Sequence, residues 1–341
     1  MKVLVTGGTG YIGSHTVVEL QEAGFDVVIA DNLVNSDQEV VNSIGMITGI
    51  VPAFEKTDLS RPGQVKELFE KHPGLEAVIH FAALKAVGES VKMPLEYYRN
   101  NIFSLVNLLV TMKEFSVDKF VFSSSCTVYG QADTLPVRED SPLQEAESPY
   151  GNTKRIAEDI LRDEVAAGDL RCISLRYFNP IGAHPSSLIG ELPLGVPDNL
   201  VPYITQTAIG KRDKLKVFGN DYDTADGTPI RDYIHVVDLS RAHVHALRRL
   251  AGQRQKSPWE VFNIGTGKGY TVMEVIRSFE KVSGMELPFE ITGRRQGDIE
   301  KVWADTAYAN SELGWKAGKG LDEMMLSAWN WELALQKRNK Q

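Results

Sequence analysis

Tyr150 and Lys154 stand four residues apart in "SPYGNTK" (148–154), so a helix there puts a phenol and an ammonium on one face. A phenol titrating near about 10 is a poor base at neutral pH. One cation roughly 6 to 7 Å away, at an effective dielectric of about 20, is worth roughly 2.5 kcal/mol, or nearly two pKa units. With such help the phenolate can take a proton from a hydroxyl. Ser125 closes the serine run of "FSSSCTVYG" (122–130) and is available to hydrogen-bond the same oxygen. Tyrosine and lysine also fall at this spacing by chance. The neighbourhood makes this pair specific, because it opens a helix after a strand that ends in the serines, and strand ends are where a doubly wound sheet holds its ligands.

A second motif lies in "VTGGTGYIGSH" (5–15). Gly8 to Gly13 fits G-x-G-x-x-G, and Gly7, Gly10 and Gly13 fit a related spacing. Glycines there permit a tight turn, let the backbone approach a pyrophosphate, and let the next helix pack closely on the sheet. The helix start, at Tyr11 and Ile12, offers free N–H groups and a partial positive charge to the phosphates. Asp31 in "VVIADNL" (27–33) ends the second strand. A carboxylate there bonds the ribose 2′-OH of NAD and repels the 2′-phosphate of NADP, and no arginine adjoins it. It would equally serve as an ordinary turn aspartate. An oxidised nicotinamide would add a second positive charge beside Tyr150.

The elements that must carry these groups alternate along the first half. Strand candidates are residues 2–6, 26–30, 51–55, 76–80, 119–124 and 171–177, with amphipathic segments such as 94–115 between them. Near-continuous apolar strands alternating with helices predict an α/β fold, a doubly wound parallel sheet covered on both faces. After residue 178 a Pro-, Gly- and Ser-rich stretch (179–199) reads as a long loop. Short strands ("KVFG", "VFNIG", "PFEIT") and helical segments (236–250, 271–283, 320–333) follow. They read as a second, smaller α/β lobe interleaved with the first, or as the continuation of one larger domain.

Composition limits the partners. The chain has 341 residues, 43% hydrophobic and 24% charged, with net charge -8, which argues against nucleic acid or an anionic membrane. Cys126 and Cys172 show no metal or disulfide spacing, so neither a metal site nor a disulfide is expected, and a reducing, cytoplasmic location is. No signal-like start and no run of 18 apolar residues is found. His80, which lacks a ligand or nucleophile partner in sequence, reads as a satisfied strand-end histidine.

The motifs "TGGTGYIGSH", "DNL", "HFAALKAVGES", "FSSSCTVYG", "SPYGNTK", "RYFNPIGAHP", "FGNDYDTADGTPIRDYIHV" and "RRQGD" follow one another across nearly the whole chain. In this order they resemble the extended short-chain dehydrogenase/reductase family, and within it the UDP-hexose 4-epimerases. The resemblance implies catalysis by Ser125, Tyr150 and Lys154. It implies an NAD pocket that also includes Asn32, Asn35, Asp58, Leu59, Phe81, Ala82, Lys85, Asn100, Tyr177 and Phe178. UDP-sugar contacts would come from Lys85, Asn179, Asn199, Leu200, Lys216, Val217, Phe218, Arg231, Tyr233, Arg295, Asp298 and Val302, joined by Ser125 and Tyr150. Arg231 could instead pair with Asp232, and Arg294 and Arg295 could be a solvated loop pair. The implied domains are residues 1–178 with about 236–262 for NAD, and about 179–235 with 263–341 for the UDP-sugar.

The implied reaction removes hydride from C4 of the hexose, turns the 4-keto sugar over, and returns the hydride to the other face, interconverting UDP-glucose and UDP-galactose. Relatives confined to those sugars resemble "DIEKVWAD" with a tyrosine where Val302 stands, so the smaller valine implies room for UDP-GlcNAc and UDP-GalNAc. A 4,6-dehydratase would need an Asp-Glu pair where Cys126 and Thr127 stand; Cys126 reads as packing. A net dehydrogenase would exchange its cofactor, and a non-catalytic NAD sensor would lack Tyr150 or Lys154. Apolar residues spread broadly around the 94–115 helix (Leu95, Tyr98, Ile102, Leu105, Leu109, Met112) fit either a homodimer, in which family members pair through this helix and the next, or burial within a monomer.

Overall fold

The computed structural model describes residues 1–295 and 299–338. The first half alternates strand and helix: β1 (Lys2–Thr6), α1 (Tyr11–Glu22), β2 (Asp26–Asp31), α2 (Glu39–Thr48), β3 (Ala53–Lys56), α3 (Pro62–Lys71) and β4 (Leu75–His80). Then come α4 (Val87–Lys92), α5 (Pro94–Glu114), β5 (Lys119–Ser123), α6 (Pro149–Ala167) and β6 (Arg171–Tyr177). The second half contains β7 (Asn179–Ile181), α7 (Leu200–Ala208), β8 (Leu215–Phe218), β9 (Ile230–His235), α8 (Val236–Ala251) and β10 (Trp259–Ile264). The last elements are β11 (Gly269–Thr271), α9 (Val272–Ser283), β12 (Phe289–Thr292), β13 (Lys301–Val302) and α10 (Leu321–Arg338).

Seven strands form one sheet in the order β10-β6-β5-β4-β1-β2-β3, and every pairing in it is parallel. Its strands are buried on both faces because successive side chains serve opposite layers. Val3 and Val5 pack with Val17 and Val18 of α1 and Leu239 of α8, whereas Leu4 between them packs with Leu68 of α3, Leu105 of α5 and Leu161 of α6. The chain leaves β1 towards β2 on one side and continues at β4 on the other. This reversal opens a crevice beyond the C-terminal strand ends, at Thr6, Asp31, His80, Ser123 and Tyr177.

β10, whose core was read from sequence as a short strand of the later half, forms the edge of this sheet against β6. The smaller lobe has its own core, including Val201, Ile204, Val217, Phe279, Met324 and Trp329. Its strands form two small sheets, β11-β9-β13 with β7 also on β9, and β8 with β12. The stretch 179–199 begins with the short β7, parallel to β9, before its loop. Among the described residues no helix is long and apolar enough to cross a membrane.

Candidate functional site

The glycine loop fits a dinucleotide on steric grounds. Gly7 adopts φ +71, and a Cβ there would lie 2.7 Å from the Ala82 nitrogen. A Cβ on Gly13 would collide with the Gly7 carbonyl oxygen, and one on Gly10 would come within 3.2 Å of it. The loop therefore folds so tightly on itself and on the β4 exit that no side chain fits at Gly7 or Gly13, the tight turn a dinucleotide-binding loop requires. No side chain caps α1 at Gly10, which leaves the first-turn N–H groups of Tyr11, Ile12 and Gly13 for an anion.

Asp31 lies beside this cradle and is nearly buried. It accepts from the Thr9 N–H at 3.2 Å, the Leu33 N–H at 2.9 Å and the Ser36 hydroxyl at 3.2 Å. A carboxylate has about four acceptor positions, so roughly one stays available for a ribose hydroxyl. Asn32 and the exposed Asn35 follow in the same bend. At the β3 exit, Asp58 is held by Ser60 and Arg61, while the Leu59 side chain enters the core. Phe81, Ala82 and Lys85 follow β4. His80 bonds Thr6 at 2.7 Å, and burial holds its pKa down at about 3, a satisfied strand-end group. Asn100 donates to Asn101, which in turn binds Leu84 and Thr153 and so ties α5 to the β4 exit and α6.

Ser148 caps α6, and Tyr150 and Lys154 stand on its buried face. Lys154 points its ammonium at the Ser123 carbonyl, 2.7 Å away, over the Phe122 ring. Burial lowers its pKa to about 8, with Glu158 opposing. Burial drives the Tyr150 phenol well above its ordinary value, Tyr177 adds to that, and the Ser125 hydroxyl draws it back only in part. The expectation joined Lys154 to an oxidised nicotinamide in pulling the phenol towards neutrality; among the protein's own groups burial dominates. In this geometry desolvation outweighs an ammonium already committed to a carbonyl.

Residues named for the nucleotide sugar sit across the crevice. Asn179 pairs with Tyr233 between β7 and β9. Phe178 and Val302 share an apolar cluster with Tyr129, Val128 and Val137. Cys126 packs against that cluster, and burial pushes its thiol up to about 12. Val302 lies opposite Arg231 on β9. Arg231 and Asp232 face opposite ways along the strand, and Asp232 is fully buried, accepting from Thr266, Gly267 and Ala304. Arg295 covers the Phe218 ring at 5.6 Å, whereas Arg294 pairs with Asp221. Lys216 is exposed, and the Val217 and Tyr233 side chains turn into the lobe's core, so these last two offer a ligand mainly backbone. Leu200 begins α7 after Asn199. Asp298 lies outside the described residues.

Four polar groups that the sequence reading passed over complete this region. Glu191 accepts from Asn199 at 2.6 Å and pairs with Lys85 at 3.5 Å; its loop context carried no signal. Glu158 binds Ser124 and Arg176 in the interior. Glu158 could have been found by continuing the four-residue spacing of Tyr150 and Lys154.

The family model for the NAD dependent epimerase/dehydratase family matches residues 3–265. The chain is 51% identical to the UDP-glucose 4-epimerase of Bacillus subtilis over 97% of both chains. Its structure is similar to that of a UDP-glucose 4-epimerase from Stenotrophomonas maltophila with bound NAD and formylated UDP-arabinopyranose, at TM-score 0.96 and 50% identity over 99% of both chains. It is also similar to a UDP-glucose 4-epimerase from Bifidobacterium longum in complex with NAD+ and UDP, at TM-score 0.93 and 45% identity over 98% of both chains. A family model matched over residues 3–265 and relatives of about half identity over nearly the whole length place the chain in the NAD dependent epimerase/dehydratase family.

Proposed function

We propose that the protein interconverts UDP-glucose and UDP-galactose by inverting C4 of the hexose with NAD as a retained cofactor. The observation that carries this reading is the placement of Tyr150, Lys154 and Ser125 at the β5 and β6 ends, facing the same crevice as the glycine cradle. The cradle of Gly7, Gly10 and Gly13, Asp31, and the strand exits at Asn32, Asn35, Asp58, Leu59, Phe81, Ala82, Lys85, Asn100, Tyr177 and Phe178 would hold the cofactor. What NAD supplies when bound is a reversible hydride acceptor and a positive ring charge. Tyr150 accepts the proton of the sugar O4–H and later returns it, Ser125 orients that oxygen, and Lys154 fixes the local field. Because burial raises the phenol's pKa, Tyr150 would act as base only as the phenolate, and the positive ring charge of a bound NAD would favour that form.

A two-faced reaction requires a firm hold on UDP and few directed bonds to the sugar, so that the 4-keto sugar can turn. Asn179, Asn199, Leu200, Lys216, Val217, Phe218, Arg231, Tyr233, Arg295 and Asp298 are proposed for UDP. The arginines suit phosphate through paired N–H donors. Val302, small and set among Val128, Tyr129 and Phe178, is proposed to admit an N-acetyl group, which extends the substrates to UDP-GlcNAc and UDP-GalNAc. Dehydration is disfavoured because Cys126 and Thr127 offer no acid/base pair.

The proposed division is residues 1–178 with about 236–262 for NAD and the remainder for the sugar nucleotide. A homodimer is proposed through α5, whose Leu105, Leu109 and Met112 are buried while Phe103, Val106 and Val110 form an exposed apolar stripe. Light scattering of the wild type and of Phe103→Glu tests it, and an unchanged monomer mass in both would reject it. A cytoplasmic location is proposed on the two unpaired cysteines, and localisation of a tagged chain outside the cytoplasm would refute it.

The decisive experiment incubates purified protein with UDP-galactose and no added cofactor, and follows UDP-glucose by proton NMR. Appearance of the 4-epimer without net NADH release supports the reading. No interconversion, even with NAD added, would overturn it, and stoichiometric NADH would favour a net dehydrogenase.

A further inference from the structure

Three consecutive serines meet three successive residues of one α6 face. The Ser123 carbonyl accepts from Lys154 at 2.7 Å. The Ser124 hydroxyl donates to Glu158 Oε1 at 2.6 Å. The Ser125 hydroxyl acts on Tyr150. Residues 150, 154 and 158 are spaced i, i+4, i+8, so a single stripe of α6 is docked onto the end of β5 by one contact per serine. Glu158 is the anchor of this stripe. Both its oxygens receive Arg176 Nε, at 3.0 and 3.2 Å, and Arg176 Nη2 binds Oε2 at 2.6 Å. Arg176 continues to the Tyr129 hydroxyl, which donates to Asn263 of β10.

We propose that Glu158 is a positioning residue for the tyrosine–lysine pair, fixing Ser124, and through it Ser125 and the Ser123 carbonyl, while placing a buried carboxylate one helical turn from the Lys154 ammonium. Both members of the Glu158–Arg176 pair are almost fully buried, at 2% and 4% side-chain exposure. Such a pair is costly to desolvate, and hydrophobic replacement is often tolerated or stabilising. Stability alone therefore gives no reason to keep it directly behind the reactive face. Its place does: one turn beyond Lys154, it supplies the only carboxylate that acts on that ammonium among the described residues. The other titratable groups facing this stripe include Arg176, Cys172 and Tyr177 from β6, Cys126 and Tyr129 from the turn after β5, Tyr97 from α5 and His80 from β4. His80 is held neutral by burial and Cys172 is held as the thiol, so the charge acting on Lys154 is that of Glu158, which Arg176 balances through their ion pair.

This inference deepens the proposed epimerase reading and rests on it for the catalytic meaning of Tyr150 and Lys154. The test uses the full chain as purified, with lysine side chains labelled with 13C at Cε and Lys154 assigned through Lys154→Arg. Glu158→Gln keeps a partner for Ser124 but removes the anion, so the Lys154 titration midpoint falls by about one pH unit. Arg176→Met leaves the anion without its countercharge, so the midpoint rises. Both variants lose thermal stability, which makes the opposite signs informative, since a merely structural role would move both the same way. If either single variant does not fold, Glu158→Gln combined with Arg176→Met removes both charges, and Ser124→Ala removes only the serine anchor. The double variant then returns the midpoint to within a few tenths of a unit of wild type, and Ser124→Ala lowers kcat for UDP-galactose about tenfold with KM unchanged. Midpoints that do not move, or move together, overturn the proposal, as does a Ser124→Ala enzyme of wild-type kcat. Wild-type protein that fails to invert UDP-galactose overturns the epimerase reading instead and leaves the lysine titration interpretable.

Discussion

Tyr11 donates its phenolic hydrogen to the carbonyl oxygen of Gly182 across 2.6 Å. Tyr11, set between Gly10 and Gly13, thereby ties the start of α1 to the segment leaving β7. Burial, with the Glu191 carboxylate adding to it, keeps the phenol protonated as the donor. Tyr11→Phe leaves the carbonyl without this partner and costs about 1 to 3 kcal/mol. Thermal unfolding should show a lower Tm, and less NAD should co-elute with the protein in gel filtration, read by its absorbance near 260 nm. Equal Tm and NAD retention would mean the tie is immaterial.

Tyr150→Phe removes the hydroxyl and little else, because the ring already sits in a buried slot. Epimerisation of UDP-galactose should fall by about 10²- to 10⁴-fold, while UDP binding by calorimetry stays within about twofold. Inversion at near wild-type rate would exclude Tyr150 as the base.

Gly13→Ala puts a methyl group against the Gly7 carbonyl. The loop and α1 must separate, so NAD is lost on purification and stability drops by about 2 kcal/mol or more. A variant that retains bound NAD and wild-type Tm would show that the close approach is dispensable.

Four buried histidines set an acid limit. Burial lowers His15, His80 and His235 to about 3 and His243 to about 4, from an ordinary 6.5. The folded chain thus refuses protons that the unfolded chain accepts below 6.5. Their contribution is fully present above that pH and is lost as pH falls towards the folded values, by on the order of 1 kcal/mol per histidine per pH unit. Calorimetry should find Tm falling steeply between pH 6.5 and 4. A level Tm over that range would contradict the buried neutral state.

Val302→Tyr fills space beside Phe178 and Tyr129. Turnover of UDP-GalNAc should fall by about 10-fold or more with UDP-galactose little affected, the scale expected when a pocket loses room for a small group. Equal effects on both sugars, or no wild-type turnover of UDP-GalNAc, would reject this role.

Local pattern alone was enough for the parallel sheet, the glycine turn and the α6 face. Apolar runs of strand length have one stable arrangement when helices separate them, and G-x-G-x-x-G after a strand is a short-range steric demand. The strand β9 was hidden, because the adjacent charges Arg231 and Asp232 break the apolar–polar alternation of "IRDYIH", which reads as a motif rather than an element. β10 joined the large sheet: its local pattern suggested the smaller lobe, while the family resemblance assigned the chain to about residue 262 to the NAD-binding domain; strand partnership depends on which edge stays open, a tertiary property. The electrostatics of Tyr150 and Lys154 were decided the same way. Spacing put an ammonium near a phenol, but only packing revealed that both are desolvated and that the ammonium is turned to Ser123. Periodicity records which residues share a face; burial and long-range partners such as Arg176 for Glu158 arise when distant segments close, and no local window contains them.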